Sequence, residues 1–237
     1  MGKAFHTFTK GFNKPFDKVL MQAMQRTTEY LCKNIQGCVF GYTQSDEISL
    51  ILVDYKKLNS SAWFDYQVQK MCSVAASMAT MAFNKYFLEI VMNIEDNVAQ
   101  EYETHGDTEW VVNTEKYLKA YCKAFKNGAM FDARCFNIPK EEVGNLIYWR
   151  QLDAVRNSIN MVAQSVFSHK SLQGLSCDDM LNKLLEEKGI NWNDLPTECK
   201  HGTALYYKNG DWAIDKNMPI LKDNWDYINK HIYVGED

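Results

Sequence analysis

A short acidic segment separates two apolar runs in the first quarter of the chain. The runs are residues 38–44 and 48–53, and Ser45-Asp46-Glu47 lies between them. Two apolar runs joined by a short polar turn predict a β-hairpin. Because strand interiors disfavour aspartate, these carboxylates belong either in a solvated turn or at a metal site. Successive strand side chains point to opposite faces, so a metal site would use one of the two carboxylates plus a group from a neighbouring strand.

Helical patterns surround this hairpin. Apolar residues recur at helical spacing from Asp17, a predicted N-cap, to about Asn34. A long apolar segment without glycine or proline, from about residue 63 to 88, predicts a largely buried helix. Residues 131–136 alternate between apolar and polar side chains, which predicts a half-buried strand.

The second half of the chain reads as mostly helical. A helical pattern follows Pro139 and runs to about Ser168, and Ser176 begins a capped, shorter helix. Asn209-Gly210 between two short apolar runs predicts a second hairpin. Helices interleaved with antiparallel strands predict an α+β fold. We place a domain boundary between residues 1–138, which contain the sheet, and residues 139–237, a helical domain with a small β-hairpin.

Charge and cysteine content limit the possible partners. The chain has 26 Lys+Arg and 30 Asp+Glu, which argues against general nucleic-acid binding but permits a local basic patch. Seven scattered cysteines without a Cys-x-x-Cys pair predict buried thiols and a reducing compartment. The sequence shows neither the apolar stretch of a membrane span nor a signal-peptide pattern. We therefore expect a cytoplasmic protein with no membrane partner.

Four lysines form a candidate basic patch. Lys116, Lys119, Lys123 and Lys126 follow one another at helical spacing and share one face. Such a stripe suits the phosphates of RNA, and a solvated helix face is the alternative interpretation.

Six motifs in this order resemble those of the tRNA(His) guanylyltransferase superfamily. They are Gly2-Lys-Ala-Phe-His6, Phe8-Thr9, Lys14-Pro15, Gly41-Tyr-Thr-Gln-Ser-Asp-Glu-Ile-Ser49, Trp149-Arg-Gln-Leu-Asp153 and Gly202-Thr203. The resemblance spans roughly residues 2 to 207. Residues 149–159 and 167–170 are most similar to the bacterial Thg1-like proteins. The eukaryotic enzymes carry a histidine where this chain has Val155, so dedicated tRNA(His) specificity is not implied.

The resemblance implies a fold and an activity. The fold is a polymerase palm-like antiparallel sheet with flanking helices, followed by a mostly helical C-terminal region. The activity is 3′–5′ nucleotide addition to tRNA 5′ ends, as templated repair or as guanylate addition to tRNA(His), with two Mg²⁺ ions. The implied partners are tRNA, ATP and GTP as substrates, and further copies of the chain in a tetramer.

The same resemblance implies roles for particular residues. Asp46 and the Gly2 carbonyl would bind metal, and Asp46 and Glu47 would be catalytic. The expected nucleotide-binding residues are Gly2, Lys3, His6, Lys14, Ser45 and Lys70. The expected contacts to tRNA or the activating nucleotide are Arg150, Asp153, Arg156, Asn157 and Ser158, together with Lys119 and Lys123.

Several of these residues have a structural alternative. Glu47 could form a structural salt bridge, and His6 could pack in the core. Lys70 could be a surface lysine, and the polar stripe that begins at Arg150 could be a solvated helix face.

The family motif begins with an aspartate where this chain has Met1, and a palm strand precedes that aspartate. Methionine offers no hard oxygen ligand for Mg²⁺. The alternative function is therefore a truncated, catalytically inactive tRNA-binding relic. A missing strand would also leave an unpaired sheet edge. A palm-type nucleotide cyclase would share the acidic hairpin but not Trp149-Arg-Gln151.

Overall fold

The computed structural model describes residues 2–233. Met1, on which the expectation of a missing aspartate rests, lies outside the described residues. The strands are β1 (Gly2–Lys3), β2 (Cys38–Gln44), β3 (Glu47–Leu52), β4 (Met130–Phe131), β5 (Thr203–Lys208) and β6 (Asp211–Asp215). The α-helices are α1 (Phe5–Phe8), α2 (Lys18–Asn34), α3 (Val68–His105), α4 (Glu109–Asn127), α5 (Val143–Val166), α6 (His169–Leu172), α7 (Cys177–Lys188), α8 (Thr197–His201) and α9 (Asp226–Ile232).

Four strands form an antiparallel sheet in the order β3-β2-β5-β6, and β1 pairs separately with β4. Gly41 of β2 lies opposite Leu50 of β3 on one side and Leu205 of β5 on the other. The predicted α+β class, with an antiparallel sheet and flanking helices, is therefore confirmed. Both predicted hairpins are present. The strands β5 and β6 belong to residues 139–237 yet extend the sheet of residues 1–138, and the division at residue 138 stays a prediction.

The sheet separates two apolar cores. Ile48, Leu50 and Leu52 of β3 pack against the core that α2, α3 and α4 build. Ile51, on the opposite face of the same strand, joins a second core with residues of α5 and α9. This alternation is what a strand between two helical layers requires. In residues 2–233, no strand pairs with the outer edge of β3.

The predicted cap of α2 is confirmed and also connects distant elements. Asp17 Oδ1 accepts a hydrogen bond from the Leu20 amide at 2.9 Å, which satisfies a free N–H of the first turn. Its other oxygen, Oδ2, accepts from the Tyr121 hydroxyl at 2.7 Å. Because Tyr121 lies on α4, one buried carboxylate fixes both the start of α2 and the position of α4.

Two predicted elements have different bounds. The long helix begins at Val68 rather than near residue 63, because Phe64, Asp65 and Tyr66 have positive φ angles that a right-handed helix cannot include. It then continues to His105. The strand predicted over residues 131–136 is wrong beyond Phe131, because β1 offers only two residues for pairing.

The cysteines are less buried than predicted. All seven are free thiols, but only Cys32 is fully buried and the others are half-buried. The sulfurs of Cys72 and Cys135 lie 3.6 Å apart. None of the helices within residues 2–233 has both the length and the apolar character needed to cross a bilayer.

Candidate active site

A two-residue turn, Ser45-Asp46, joins β2 to β3. Gln44 and Glu47 form the last residue pair of the ladder before the turn. Ser45 closes the turn with a left-handed φ of 51° and is exposed, whereas Asp46 is half-buried. The Ser45 hydroxyl lies 3.4 Å from Asp46 Oδ1. The sequence therefore placed the hairpin correctly, with both polar residues at its tip.

The N-terminal segment lies against this turn. The Gly2 amide donates a hydrogen bond to the Asp46 carbonyl oxygen at 3.0 Å. A Cβ atom added at Gly2 would lie 2.1 Å from the Phe5 ring, so a larger residue would displace that buried aromatic side chain. Glycine at this position thus lets the backbone lie against the Phe5 ring.

The surroundings of the Asp46 carboxylate suit a cation. Burial raises the pKa of this carboxyl group, while hydrogen bonds from Ser45 and from backbone amides offset part of that effect. A desolvated carboxylate is stabilised by a nearby positive charge. Within residues 2–233, no group of three or more His, Cys, Asp or Glu side chains is arranged to hold a metal ion. Mg²⁺, however, commonly binds one or two carboxylates and completes its shell with water and substrate phosphates. One carboxylate and a Gly2 carbonyl fit that donor set.

The Glu47 carboxylate is held by two side chains. Its Oε2 accepts hydrogen bonds from Arg150 Nη1 at 2.8 Å and from Gln44 Nε2 at 3.1 Å. The salt bridge considered as the alternative for Glu47 is therefore present. A catalytic role for Glu47 stays a prediction.

The polar stripe on α5 continues from Arg150. Asp153 accepts from Arg156 at 2.8 Å and lies 3.7 Å from Arg150. Arg156 is exposed and Asn157 is half-buried. The structure thus joins Glu47, Arg150, Asp153 and Arg156 in one chain of alternating charges.

Ser158 requires a correction. Its side chain is buried, with 2% of the residue exposed, and its hydroxyl accepts a hydrogen bond from the Trp192 indole at 3.1 Å. The same hydroxyl donates to the Val155 carbonyl at 2.8 Å. Ser158 therefore lies inside the helical core and is not placed to contact tRNA or a nucleotide.

The other candidate nucleotide-binding residues are exposed and separate from this network. Lys3, His6 and Lys14 lie near the N-terminus, and the alternative of a packed core position for His6 is wrong. Lys70 lies on the first turn of α3, with its ammonium group 4.6 Å above the Phe64 ring. None of the contacts found within residues 2–233 joins these four side chains to Asp46.

Lys119 and Lys123 lie on the exposed side of α4. With Lys126 they line a groove of about 570 Å³ that α3 borders on its other side. Glu95 of α3 accepts from the Cys122 thiol at 3.2 Å across this groove. The structure confirms that the lysines share one face.

Gln44 is the residue that the sequence reasoning missed. Its side chain is buried at the end of an otherwise apolar strand, and it donates to Glu47. The sequence signal for this role was a polar amide side chain at the end of an apolar strand, directly before Ser-Asp-Glu.

The chain is similar to known proteins of one family. A family model for tRNA(His) guanylyltransferase, Thg1, matches residues 1–139. A bacterial tRNA(His) guanylyltransferase (Thg1)-like protein in complex with ATP has a similar structure, with a TM-score of 0.79 and 40% identity, over 98% of this chain and 87% of that one. A bacterial protein of the same description in complex with GTP gives a TM-score of 0.72 and 36% identity, over 98% and 86% of the two chains.

A relative from yeast is also similar to this chain over most of its length. The tRNA(His) guanylyltransferase of Saccharomyces cerevisiae is 24% identical over 225 residues, which covers 87% of this chain and 80% of that protein. The resemblance inferred from the six motifs is thereby confirmed. The chain belongs to the tRNA(His) guanylyltransferase (Thg1) family of nucleotidyltransferases.

Proposed function

We propose that this chain adds nucleotides to the 5′ ends of tRNA in the 3′–5′ direction, either to repair a shortened end against a template or to add guanylate to tRNA(His). The observation that carries the proposal is the half-buried Asp46 at a hairpin tip, with the Gly2 backbone against it. The solved relatives bind ATP and GTP. We propose both nucleotides as substrates here.

The chemistry places few demands on the protein. The 3′-hydroxyl of an incoming nucleotide attacks a 5′-phosphate that has been activated as an adenylate, which releases AMP, or that is already a triphosphate, which releases pyrophosphate. When bound, two Mg²⁺ ions would lower the pKa of the attacking hydroxyl and neutralise charge on phosphate oxygens. Asp46 and the Gly2 carbonyl would hold the metal, and Ser45 would lie against the nucleotide. Lys3, His6, Lys14 and Lys70 are exposed cations or hydrogen-bond donors available to phosphates.

The tRNA would contact two surfaces. One is the polar face of α5, where Arg156 and Asn157 can reach phosphates or base edges and Asp153 orients Arg156. The other is the lysine face of α4, where Lys119 and Lys123 project beside the groove. An acidic protein needs such local positive surfaces because phosphate contacts supply much of its affinity for RNA.

A tetramer is part of the proposal. Large apolar side chains on α3 and α4 are exposed, including Met81, Met92, Tyr102, Trp110 and Val112. Exposed apolar side chains are common at subunit interfaces. Light scattering on the purified protein would measure its mass, and a monomer at every concentration would contradict this part.

The test of function uses labelled tRNA that lacks its first nucleotide. With Mg²⁺ and GTP, tRNA with a 5′-triphosphate should be extended directly, whereas tRNA with a 5′-monophosphate should be extended only when ATP is added. Binding of tRNA without extension under all conditions would overturn the proposal and support the non-catalytic, tRNA-binding alternative.

A further inference from the structure

One ion pair connects the acidic turn to α5. Arg150 and Glu47 are 103 positions apart in the sequence, and their nearest side-chain atoms lie 2.8 Å apart. The Glu47 side chain is only 16% exposed and that of Arg150 is 35% exposed, so water screens this pair incompletely. Glu47 directly follows Asp46, and therefore Arg150 holds the residue next to the proposed metal ligand.

Arg150 lies between two carboxylates. Its Nη1 donates to Glu47, and Nη2 lies 3.7 Å from Asp153. Asp153 itself is held by Arg156 at 2.8 Å. The guanidinium group presents its donors in a rigid fork, and this fork faces both carboxylates. A contact of Arg150 with tRNA stays a prediction.

Two other hydrogen bonds support the turn. The Gly2 amide donates to the Asp46 carbonyl at 3.0 Å, and the Thr43 hydroxyl donates to the Glu47 carbonyl at 2.9 Å. Both end on backbone carbonyls, so the Glu47 carboxylate depends on Arg150 and Gln44. Loss of Arg150 would leave the poorly exposed Glu47 carboxylate without its cation, and an uncompensated charge of this kind is costly. Gln44, which also donates to Glu47, cannot supply the missing charge.

We infer that Arg150 is a positioning residue: it acts through Glu47 to fix the Ser45-Asp46 turn, and thus the direction of the Asp46 carboxylate. The inference rests on the proposed function for its catalytic consequence. It assigns the two charges of this pair to one task, so that removing either one should have the same effect.

A double-mutant cycle tests this assignment. Arg150→Gln and Glu47→Gln should each lower kcat for nucleotide addition by about 10- to 100-fold, with little change in the KM for tRNA. The double variant should be no slower than the slower single variant, because residues that act as one unit lose their effect once. Arg150→Lys keeps the positive charge but not the planar guanidinium group, and it should recover part of the lost kcat. If Arg150→Gln fails to fold, Arg150→Lys replaces it in the cycle.

The matched control is the ion pair between Arg26 on α2 and Glu89 on α3. Arg26 Nη2 lies 2.6 Å from Glu89 Oε2, and the two side chains are 34% and 39% exposed. Arg26→Gln and Glu89→Gln should leave kcat within about twofold of wild type, since surface ion pairs contribute little by themselves.

Divalent-ion binding gives a readout that does not depend on activity. Titration of the folded protein with Mn²⁺, in the absence of tRNA and nucleotide, should show the same fold-change in affinity for Arg150→Gln and Glu47→Gln, and none for the control pair. If the wild-type protein adds no nucleotide, the proposed function fails while this titration still decides the positioning role. A tenfold higher Kd for tRNA in Arg150→Gln with unchanged Mn²⁺ affinity would overturn the inference. A loss of kcat in the double variant equal to the product of the two single losses would also overturn it.

Discussion

The amide of Gly2 and the carbonyl oxygen of Asp46 are joined by a 3.0 Å hydrogen bond, so the N-terminal segment and the acidic turn support each other. This bond joins backbone atoms, whereas the Asp46 carboxylate accepts separately from Ser45 and from backbone amides. The bond also holds the Gly2 backbone next to the turn. A substitution of the Asp46 side chain should therefore remove the carboxylate and leave this backbone bond in place.

Asp46→Ala should reduce nucleotide addition by roughly tenfold or more while tRNA binding is retained, because the carboxylate that would hold the metal is lost. Turnover on labelled tRNA and Kd from a binding titration measure the two effects. Asp178→Ala, an exposed aspartate on α7, is the control and should behave as wild type. More than a tenth of wild-type turnover in Asp46→Ala would contradict the assignment.

Charge reversal at Lys119 and Lys123 should weaken tRNA binding. Each lost phosphate contact lowers the slope of log Kd against log salt concentration by about one unit. The slope of the double variant should therefore be about two units lower than that of the wild type. Affinity measured at several salt concentrations gives the slope. The same reversal at Lys208 and Lys222, exposed lysines elsewhere, should change the slope less. An unchanged slope would leave the α4 lysines as a solvated helix face.

Ser158→Ala should lower the free energy of unfolding by about 1–2 kcal/mol, because the buried Trp192 indole loses its acceptor. Urea unfolding measures this change. The kcat of nucleotide addition should stay close to wild type, since the hydroxyl is buried. A loss of kcat without a loss of stability would restore Ser158 as a contact to the substrates.

Acid should destabilise the protein through two half-buried histidines, His201 and His231. Burial lowers the pKa of His231 to about 4 and also lowers the pKa of His201. Well above pH 6.5 both histidines are neutral in the folded and unfolded states and add no pH dependence. As pH falls from about 6.5 toward 4, the unfolded chain takes up protons that the folded chain does not, so the free energy of unfolding decreases.

A variant isolates the contribution of His231. Its ring stacks on Tyr206 with centroids 4.8 Å apart, so His231→Phe keeps an aromatic ring there and removes the titration. Urea unfolding at pH 7 and pH 5 should show a smaller pH effect in this variant than in wild type. His169→Phe, at an exposed histidine, should retain the wild-type pH effect.

Local patterns predicted the elements that depend on local chemistry. The Asp17 cap, the Ser176 capping box and both hairpins were predictable because each depends on residues within a few positions of one another. The start of α3 was not, since none of the left-handed residues 64–66 is the glycine or asparagine that most often adopts this conformation.

The site was predictable only in part. The motif identified Asp46 and Arg150, but helical spacing alone could not show that Arg150 turns toward Glu47. Ser158 was misassigned because the partner that buries it, Trp192, lies 34 positions away on a separate element. Pairings at that distance depend on tertiary packing, which local periodicity does not report.

The pairing of β2 with β5 has a consequence for synthesis of the chain. Thr43 lies opposite Thr203, so about 160 further residues must be synthesised after β2 before β5, its second neighbouring strand, leaves the ribosome. Until then one edge of an apolar hairpin stays open, and long-range strand pairing of this kind is slow and prone to aggregation. The acidic turn would therefore reach its final geometry late, only after α5 and β5 have been made.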